Sequence, residues 1–596
     1  MLKQNPGALD ISLFFIGLMF FLPFIIMRHA LPIPSFYTEW FAALSGFIAI
    51  LPLLRTTIWR SIQIPQISLV FLGLATILIM QWVLGMLQST QFFLLLLSYL
   101  IWAFFLTTLG NYLRHELGWE RLITTLAWSL IAAGIVNFII LALQLLVKSG
   151  GIVPFLPNLV SFGAVSQPNH LANFDALAIA SLIYLYAKKR CSQSFFILLL
   201  LLFIIILSFS GSRSAWLYLS AFAILAITLH INAIKQDASD EAYRRALGAG
   251  LLVLPAFAFV QIIIHHVIPN QYVSLPTERL MDSVNVQTPS ARLHIWYDSL
   301  RIFIQSPWLG IGMGQIREGA FSLLSHPSAM ASNIVFEHAH NLFLHLLTEM
   351  GVFATLFVFI GLIIWIRSFK WHKLNLETWW LISLLVVIGI HSMLEYPLWF
   401  TYFLGITAVL LGAGDEKYFA INFHPRVHKF CDAFHKKISA ITLKLILLFG
   451  AINLCTLFIA NLMLERWVQN YATGGMVNKT DIEWVSQYSL LSPYSNLLNA
   501  ITLIGDSTMQ IDQKLKQNSA AMRFKPMRKI VYQQALLLDL QGLHNLAIRQ
   551  LNMALIAYPD FYMTFPETLP LKAKEQYLRL LSEVHPELKN TIKKND

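Results

Sequence analysis

Long apolar stretches separated by short polar segments fill the sequence as far as residue 464. An α-helix needs about 20 apolar residues to cross the hydrocarbon core of a bilayer. Residues 465–596 instead have the pattern of soluble helices. By the length criterion the sequence predicts thirteen membrane-spanning helices, near residues 11–28, 38–54, 64–86, 92–110, 122–147, 169–187, 195–210, 214–233, 247–268, 341–366, 377–394, 397–413 and 439–464.

The composition supports a membrane protein. Of the 596 residues, 57% are hydrophobic and 12% are charged, whereas soluble domains have about 45–50% apolar and about 25% charged residues. These values exclude a cytosolic enzyme, a disordered scaffold and a secreted disulfide-rich domain. The first apolar stretch is expected to stay as an anchor, because Met27-Arg28-His29 follows it in place of a small-residue cleavage site. We therefore predict an all-α, polytopic membrane helix bundle.

The positions of Lys and Arg predict which side of the membrane each loop faces. The short loops on one side carry only Arg28, Lys148 and Arg213, and the loops on the N-terminal side carry many more basic residues. Because basic residues collect on the cytoplasmic side, the N-terminus is predicted to be cytoplasmic. The loop of about 269–340 and the tail 465–596 then lie outside the cytoplasm. Topology accounts for most of the net charge of +11, so nucleic acid is not predicted as a partner.

The tail contains one stretch with a recognisable pattern. Residues 535–559 resemble one helix pair of a tetratricopeptide repeat. Such repeats normally need neighbours to bury a core, so a small helical domain of another kind remains open. The predicted domains are a membrane domain over 1–464 and an external helical domain over 465–596.

Polar residues gather on the external face, and polar groups at membrane depth are costly unless they serve a function. One group is 166–173, at the start of the sixth span, with Gln167, Asn169 and His170. Amide and imidazole groups can bind hydroxyl-rich ligands such as sugars in either polarity. The same residues also fit an ordinary turn that begins a helix.

Two arginines occur in further external groups. Arg213 lies in the turn 210–214, and Arg292 lies in 290–296, which a glycine-rich stretch at 307–314 follows. A guanidinium group offers forked donors that fit phosphate, so the two could share a diphosphate. Arg213 could instead reach lipid headgroups, and Arg292 could be a solvated loop residue. The glycines do not match a phosphate-binding P-loop.

Histidines define the fourth group, with His338 and His340 before the tenth span. Residues two apart diverge on a helix and no carboxylate-rich motif accompanies them, so neither a metal nor another cofactor is predicted. A histidine at the membrane surface can act as a general base, although a capping or buried structural role remains open. A fifth group, 391–397, contains Glu395 and Tyr396.

Together these groups suit one kind of chemistry. Two arginines, histidines, a glutamine and a tyrosine on the external face fit the transfer of a group from a lipid-linked phosphate donor. The guanidinium groups would stabilise the charge that grows on the departing diphosphate. External chemistry also accounts for the lack of a nucleotide-binding motif.

The fourth group also carries a family resemblance. His340-Asn341, with Leu344, Glu349 and Gly351, resembles the hallmark of the O-antigen ligase/polymerase superfamily.

Other motifs narrow this resemblance. Arg213 in Ser-Arg-Ser and Arg292 in Arg-Leu-x-x-Trp resemble the two recurrent arginines of the superfamily. Within it, the segments 29–40, 166–173 and 391–397 are similar to PglL-type bacterial protein O-oligosaccharyltransferases. The resemblance covers nearly the whole membrane part.

The resemblance implies en bloc transfer of an oligosaccharide from undecaprenyl diphosphate to Ser or Thr hydroxyls of a periplasmic protein, such as a pilin, at the bacterial inner membrane. It implies that no metal or nucleotide takes part. The implied catalytic residues are His340, which would activate the acceptor hydroxyl, and Tyr396 and Gln167, which would place the donor. Supporting roles are expected for Asn169, His170, His338, Asn341, Glu349 and Glu395, and diphosphate binding for Arg213 and Arg292.

Two alternatives remain open at this point. An O-antigen ligase acting on lipopolysaccharide core, or an O-antigen polymerase, would differ in its acceptor. A transporter of the lipid-linked glycan would distribute polar residues along a pathway through the membrane, whereas here they gather on one face.

Overall fold

The computed structural model describes residues 6–54, 64–148, 163–165, 167–237, 240–267, 275–285, 291–328, 332, 334–419, 428–505 and 509–585. The fold is all-α, as predicted, with one two-residue antiparallel pair between β1 (Ile64–Pro65) and β2 (Tyr418–Phe419). The helices of the described residues are α1 (Pro6–Phe21), α2 (Phe36–Ile50), α3 (Leu69–Val83), α4 (Thr90–Leu117), α5 (Trp119–Lys148), α6 (Pro168–Ala187), α7 (Gln193–Phe209), α8 (Ser214–Lys235), α9 (Glu241–Val267), α10 (Pro276–Asn285), α11 (Ala291–Gln305), α12 (Ile316–Leu323), α13 (Leu342–Ser368), α14 (Leu376–Ser392), α15 (Thr401–Gly414), α16 (His428–Ala472), α17 (Lys479–Tyr488), α18 (Ser492–Thr502), α19 (Ile511–Phe524), α20 (Arg528–Leu540), α21 (His544–Ala557) and α22 (Leu571–Val584).

Each of the thirteen predicted spans corresponds to a helix, namely α1–α9 and α13–α16. Within the described residues, nine helices are long and apolar enough to cross a membrane, and α2, α7, α14 and α15 are shorter apolar helices. The chain is therefore a multi-pass membrane protein. The predicted loop of about 269–340 includes, in its described part, three helices that the sequence did not predict, α10, α11 and α12.

The chain divides into two compact units, and α3, α4, α13 and α16 supply residues to both. The predicted domain boundary at residue 464 lies within α16. The first unit consists of Met1–Leu72, Tyr99–Thr288 and Phe359–Leu454, and the second of Gly73–Ser98, Pro289–Val358 and Cys455–Asp596.

Helix α6 is the most buried of the nine long candidate spans among the described residues, with 94% of its apolar window inside the protein. Association of helices in lipid relies on close packing rather than on the hydrophobic effect, and small residues permit that packing. Four alanines, from Ala172 to Ala180, are fully buried in α6. Ser181 accepts a hydrogen bond from the indole of Trp380 on α14 at 2.9 Å. The central part of this helix is therefore closely packed against its neighbours.

The C-terminal part of the second unit has its own apolar core. Buried residues of α20, α21 and α22, among them Tyr532, Leu551 and Tyr577, pack together with Phe321 of α12. Helices α20 and α21 occupy the stretch that resembles a repeat, and Gly542 between them has a φ of 85°. Glycine adopts this left-handed conformation without steric cost, so it permits the tight turn.

Candidate functional site

Three of the predicted polar groups meet in the first unit through Asn169. Its Nδ2 donates to Oε1 of Glu395 at 2.9 Å, and its Oδ1 accepts from the hydroxyl of Ser212 at 2.8 Å. Glu395 and Ser212 are both buried. One amide side chain therefore joins the start of α6, the turn 210–214 and the segment that follows α14.

Gln167 is the N-cap of α6. Its Oε1 accepts a hydrogen bond from the backbone N–H of His170, and Pro168 occupies the first helical position. An N-cap oxygen satisfies a helix N–H that has no partner within the helix, and proline fits the first position because it lacks an N–H. The oxygen of Gln167 thus serves the helix, which leaves its amide nitrogen as the group to contact a ligand.

Two buried histidines of the first unit each lie within hydrogen-bond distance of a tyrosine hydroxyl. Nδ1 of His170 is 3.1 Å from the hydroxyl of Tyr402, and Nδ1 of His391 is 2.9 Å from the hydroxyl of Tyr218. The ring of Tyr396, which is partly exposed, has its centroid 6.3 Å from that of His170. The arrangement suits a supporting role for His170, with Tyr396 nearer to any ligand.

A second arginine accompanies Arg213. Arg213 is exposed and directly precedes α8, whose N-terminus favours anions. Nη1 of Arg279, on α10, donates to the backbone oxygen of Gly211 at 2.9 Å. Thr277 on the same helix donates to Gln261 of α9, which anchors α10. Arg279 was not predicted from the sequence, because nothing local to it indicates that α10 returns to the turn 210–214.

The rings of His338 and His340, in the second unit, are close together. Their ring centroids are 3.9 Å apart at an interplanar angle of 71°. The prediction that they diverge is wrong, because both precede α13 and so do not follow its helical geometry. His340 has a φ of 51°, and such left-handed conformations cost about 1–3 kcal/mol and cluster at functional sites. The absence of a metal remains a prediction for this pair.

Asn341 determines where α13 begins. Its Oδ1 accepts from the N–H of Leu344 at 3.1 Å, and its carbonyl accepts from the N–H of His345 at 2.9 Å. This is an N-cap arrangement. It places His340 immediately outside the helix, at the end of the segment that holds both imidazoles.

Trp296 connects Arg292 with the histidine segment. Its indole Nε1 donates to the backbone oxygen of Ala339 at 2.9 Å. Arg292 lies four residues earlier on α11, and residues four apart share one face of a helix. The Arg-Leu-x-x-Trp motif thus fixes the helix of Arg292 against the peptide group that precedes His340.

The hallmark residues Glu349 and Gly351 have structural roles. Helix α13 is broken at Gly351 (φ 76°, ψ −175°), where a Cβ would lie 2.2 Å from the backbone oxygen of Trp308. The carbonyl of Glu349 accepts from the N–H of Gly312 at 3.0 Å. The glycines of 307–314 therefore allow two backbones to approach each other, which explains them without a phosphate.

The carboxylate of Glu349 is 1% exposed, and its Oε1 accepts from the N–H of Ile316, the first residue of α12, at 3.0 Å. Gln81 of α3 also donates to the carbonyls of Glu349 at 2.7 Å and Leu309 at 2.6 Å. Gln81 is fully buried. It was not predicted from the sequence, although a lone amide in an apolar span was the available signal.

Charged residues surround the start of the histidine group. Glu337 forms an ion pair with Arg317 of α12, and Nζ of Lys525 lies 3.7 Å from its Oε1. Burial, with the nearby charge of Arg317, lowers the pKa of Lys525. The tail therefore contacts the residue that precedes His338.

The predicted residues divide between the two units. The prediction that Arg213, Arg292 and His340 share one cavity concerns residues of both units, and it remains a prediction. Ser166 and Ser290, which belong to two of the predicted groups, lie outside the described residues. The first unit holds Gln167, Asn169, His170, Arg213, Glu395 and Tyr396, and the second holds Arg292, His338, His340, Asn341 and Glu349.

Comparisons with known proteins find two family models and two relatives that are similar to this chain. Residues 196–360 match the family model described as O-antigen ligase, and residues 379–567 match the model described as virulence factor membrane-bound polymerase, C-terminal. The chain is 28% identical over 403 residues to the general O-oligosaccharyltransferase of Acinetobacter baylyi, in an alignment that covers 64% of this chain and 66% of that protein. It is 23% identical over 403 residues to the ComP-specific O-oligosaccharyltransferase of the same species, in an alignment that covers 67% of this chain and 70% of that protein.

Proposed function

Because this chain belongs to the O-antigen ligase/polymerase superfamily, in its PglL-type branch of O-oligosaccharyltransferases, we propose that it transfers an oligosaccharide en bloc from a lipid-linked donor to a protein. The enzyme is a glycosyltransferase that joins the first sugar of the glycan to a Ser or Thr hydroxyl. The hydrogen bonds around Asn169 and around Ala339 hold polar groups in place for such a reaction.

The reaction breaks one bond and forms another. The acceptor hydroxyl oxygen attacks the anomeric carbon, and the bond between that carbon and the diphosphate oxygen breaks. His340 takes the hydroxyl proton, since a hydroxyl is a weak nucleophile until a base accepts its proton. The leaving diphosphate carries away the electron pair, and Arg213 and Arg292 stabilise its charge. Tyr396 and the amide nitrogen of Gln167 position the donor.

The placement of His340 is the observation that carries the proposal. His340 is held in a left-handed conformation between the cap residue Asn341 and the Ala339 peptide, and Trp296 ties that peptide to the helix of Arg292. A base and a cation are thereby placed on segments that are bonded to each other. This is the arrangement that group transfer to a hydroxyl with a departing anion requires.

The finer features of the proposal follow from the membrane location. The donor is undecaprenyl diphosphate-linked glycan, whose lipid tail lies among the apolar helices. The active site and tail face the periplasm of a bacterial inner membrane, because this orientation places the basic loops in the cytoplasm. The acceptor is a pilin or another periplasmic protein.

The acceptor distinguishes the proposal from lipopolysaccharide ligation and from O-antigen polymerisation. Both relatives carry the name O-oligosaccharyltransferase, which favours a protein acceptor. The test is expression in a host that makes a lipid-linked glycan, together with a candidate pilin. Intact-mass measurement should show the pilin heavier by one whole glycan. Modified lipopolysaccharide with unmodified pilin would contradict the proposal.

The catalytic role of His340 has a matched control. His340→Ala should reduce transfer by about 10²–10⁴-fold, the usual contribution of a general base, while the protein is inserted and expressed normally. His326→Ala removes an exposed imidazole of the same unit and should leave transfer unchanged. Near-normal transfer by His340→Ala would refute the mechanism.

A further inference from the structure

We propose that His345, which the sequence motifs did not single out, is a positioning residue that orients His340 by holding the Ala339 peptide. The inference rests on the proposed function for its catalytic consequence. The bonded arrangement itself can be tested without any transfer reaction.

His345 contacts the histidine segment through its ring. The backbone N–H of Ala339 donates to Nδ1 of His345 at 3.2 Å, and His345 is 4% exposed. A ring nitrogen that accepts a hydrogen bond carries no proton. The proton of the neutral ring is then on Nε2, which lies 3.1 Å from Oε2 of Glu349. This is an ion-pair distance without hydrogen-bond geometry, and the negative charge of the carboxylate favours the ring proton on Nε2, in the tautomer that can accept from Ala339.

Glu349 is itself immobilised. Its other carboxylate oxygen accepts from the N–H of Ile316, and its backbone oxygen accepts from Gln81 and Gly312. A chain of contacts therefore runs from the N-terminus of α12 through Glu349 and His345 to Ala339. Both side chains in it are buried, so water competes poorly for these contacts.

Ala339 is held from both sides. Its N–H is bonded to His345 and its carbonyl to Trp296, and the residue is fully buried. These two groups belong to the peptide planes on either side of Ala339, so both planes are fixed. His340 follows directly with its φ of 51°. Without the first bond this strained backbone would relax, and the imidazole of His340 would change direction.

Three substitutions of His345 distinguish the role of its Nδ1 from the role of its Nε2. Asn places an amide oxygen near the position of Nδ1, Gln reaches toward the position of Nε2, and Leu removes both polar groups. We expect His345→Asn to keep kcat within about threefold, and His345→Gln and His345→Leu to lower it by about 10- to 100-fold, the scale of a small misplacement of a reacting group. KM for donor and acceptor should stay within about twofold. The control His326→Leu should change neither.

Hydrogen exchange of the full-length protein in lipid nanodiscs provides a readout that needs no catalysis. Mass spectrometry with fragmentation should find the Ala339 amide exchanging about tenfold faster in His345→Gln and His345→Leu, and as slowly as wild type in His345→Asn. If all three variants exchange alike, or if His345→Leu keeps wild-type kcat, the inference is wrong. If the exchange pattern holds but wild type transfers no glycan to any acceptor, the proposed function fails and the anchoring stands. Should His345→Leu fail to fold, the comparison of kcat and Ala339 amide exchange between His345→Asn and His345→Gln tests the inference.

Discussion

The two units hold their site residues in different ways. In the first unit the predicted residues bond to one another, since Asn169 joins Glu395 to Ser212 of the arginine turn. In the second unit, residues that were not predicted also contribute, since His345 accepts a hydrogen bond from the Ala339 peptide before His340 and Gln81 donates to the carbonyl of Glu349. The motifs therefore included some residues that position the site, such as Asn341 and Trp296, but not the buried side chains of His345 and Gln81.

The largest effect should come from the backbone contact of the second unit. Gly351→Ala puts a Cβ 2.2 Å from the oxygen of Trp308 at a φ of 76°, which we expect to cost about 3 kcal/mol or more. The variant should express poorly and lose the monodisperse peak in detergent size-exclusion chromatography. Gly389→Ala, where a Cβ meets nothing within 4 Å among the described residues, is the control and should behave as wild type. Normal yield of both variants would show that the break in α13 tolerates a side chain.

The bonded network of the first unit is the next target. Asn169→Ala removes both hydrogen bonds, and we expect kcat/KM for glycan transfer to fall about 10- to 100-fold. Asn169→Asp should be worse, because it replaces the donor facing Glu395 with a second carboxylate. Transfer assays with purified protein, with thermal unfolding alongside, check this order. If Asn169→Asp lowers kcat/KM less than Asn169→Ala does, the contact with Glu395 does not matter for activity.

A smaller effect is expected at the additional arginine of the same unit. Arg279→Ala should raise KM for the diphosphate donor by about fivefold with little change in kcat, since the group is exposed and screened by water. Arg279→Lys should recover part of the loss. Arg549→Ala, an exposed arginine of α21, provides the control. Equal donor KM values in all three variants would exclude Arg279 from donor binding.

The smallest effect concerns the stability of the tail. Hydrogen bonds to Asp539 and Glu583 raise the pKa of His544 above 6.5. The contribution of protonated His544 to the stability of the tail is complete below the ordinary pKa of histidine, and it is lost as the pH rises through the raised pKa of the folded state. Destabilisation of the tail by His544→Ala should therefore be larger at about pH 5 than at about pH 8, as pulsed proteolysis in urea would measure. An equal loss of stability at both pH values for His544→Ala would contradict the assignment.

The membrane helices could be predicted from the sequence because their signal is local. Each span needs only its own run of apolar residues, and all thirteen correspond to helices. The sequence also allowed residues 166–173 to be a turn that begins a helix, because Gln167 and Pro168, which form the helix start, are adjacent in the chain. The left-handed backbone of His340 could not be predicted, because a non-glycine residue adopts it only when distant contacts compensate for its cost.

Arg279 and His345 were missed for a related reason. Each forms its hydrogen bond with a backbone group, of Gly211 or Ala339, that the tertiary fold brings close to it. Because every residue has a backbone, such a partner cannot be recognised from a sequence motif. Helices α10, α11 and α12 were missed because polar and proline residues dominated the interpretation of 269–340. Side chains that bond to each other, such as Asn169 and Glu395, were found because both belong to polar groups.

The hydrogen bonds of Gln81 bear on how this protein should be engineered. Replacing polar membrane residues with leucine is an obvious way to make such a protein insert more readily, and by hydropathy Gln81 would be an early choice. Its amide, however, donates to two carbonyls, and its oxygen accepts from the N–H of Met313 at 3.1 Å. A redesign guided by lipid solubility alone would leave these backbone groups without partners.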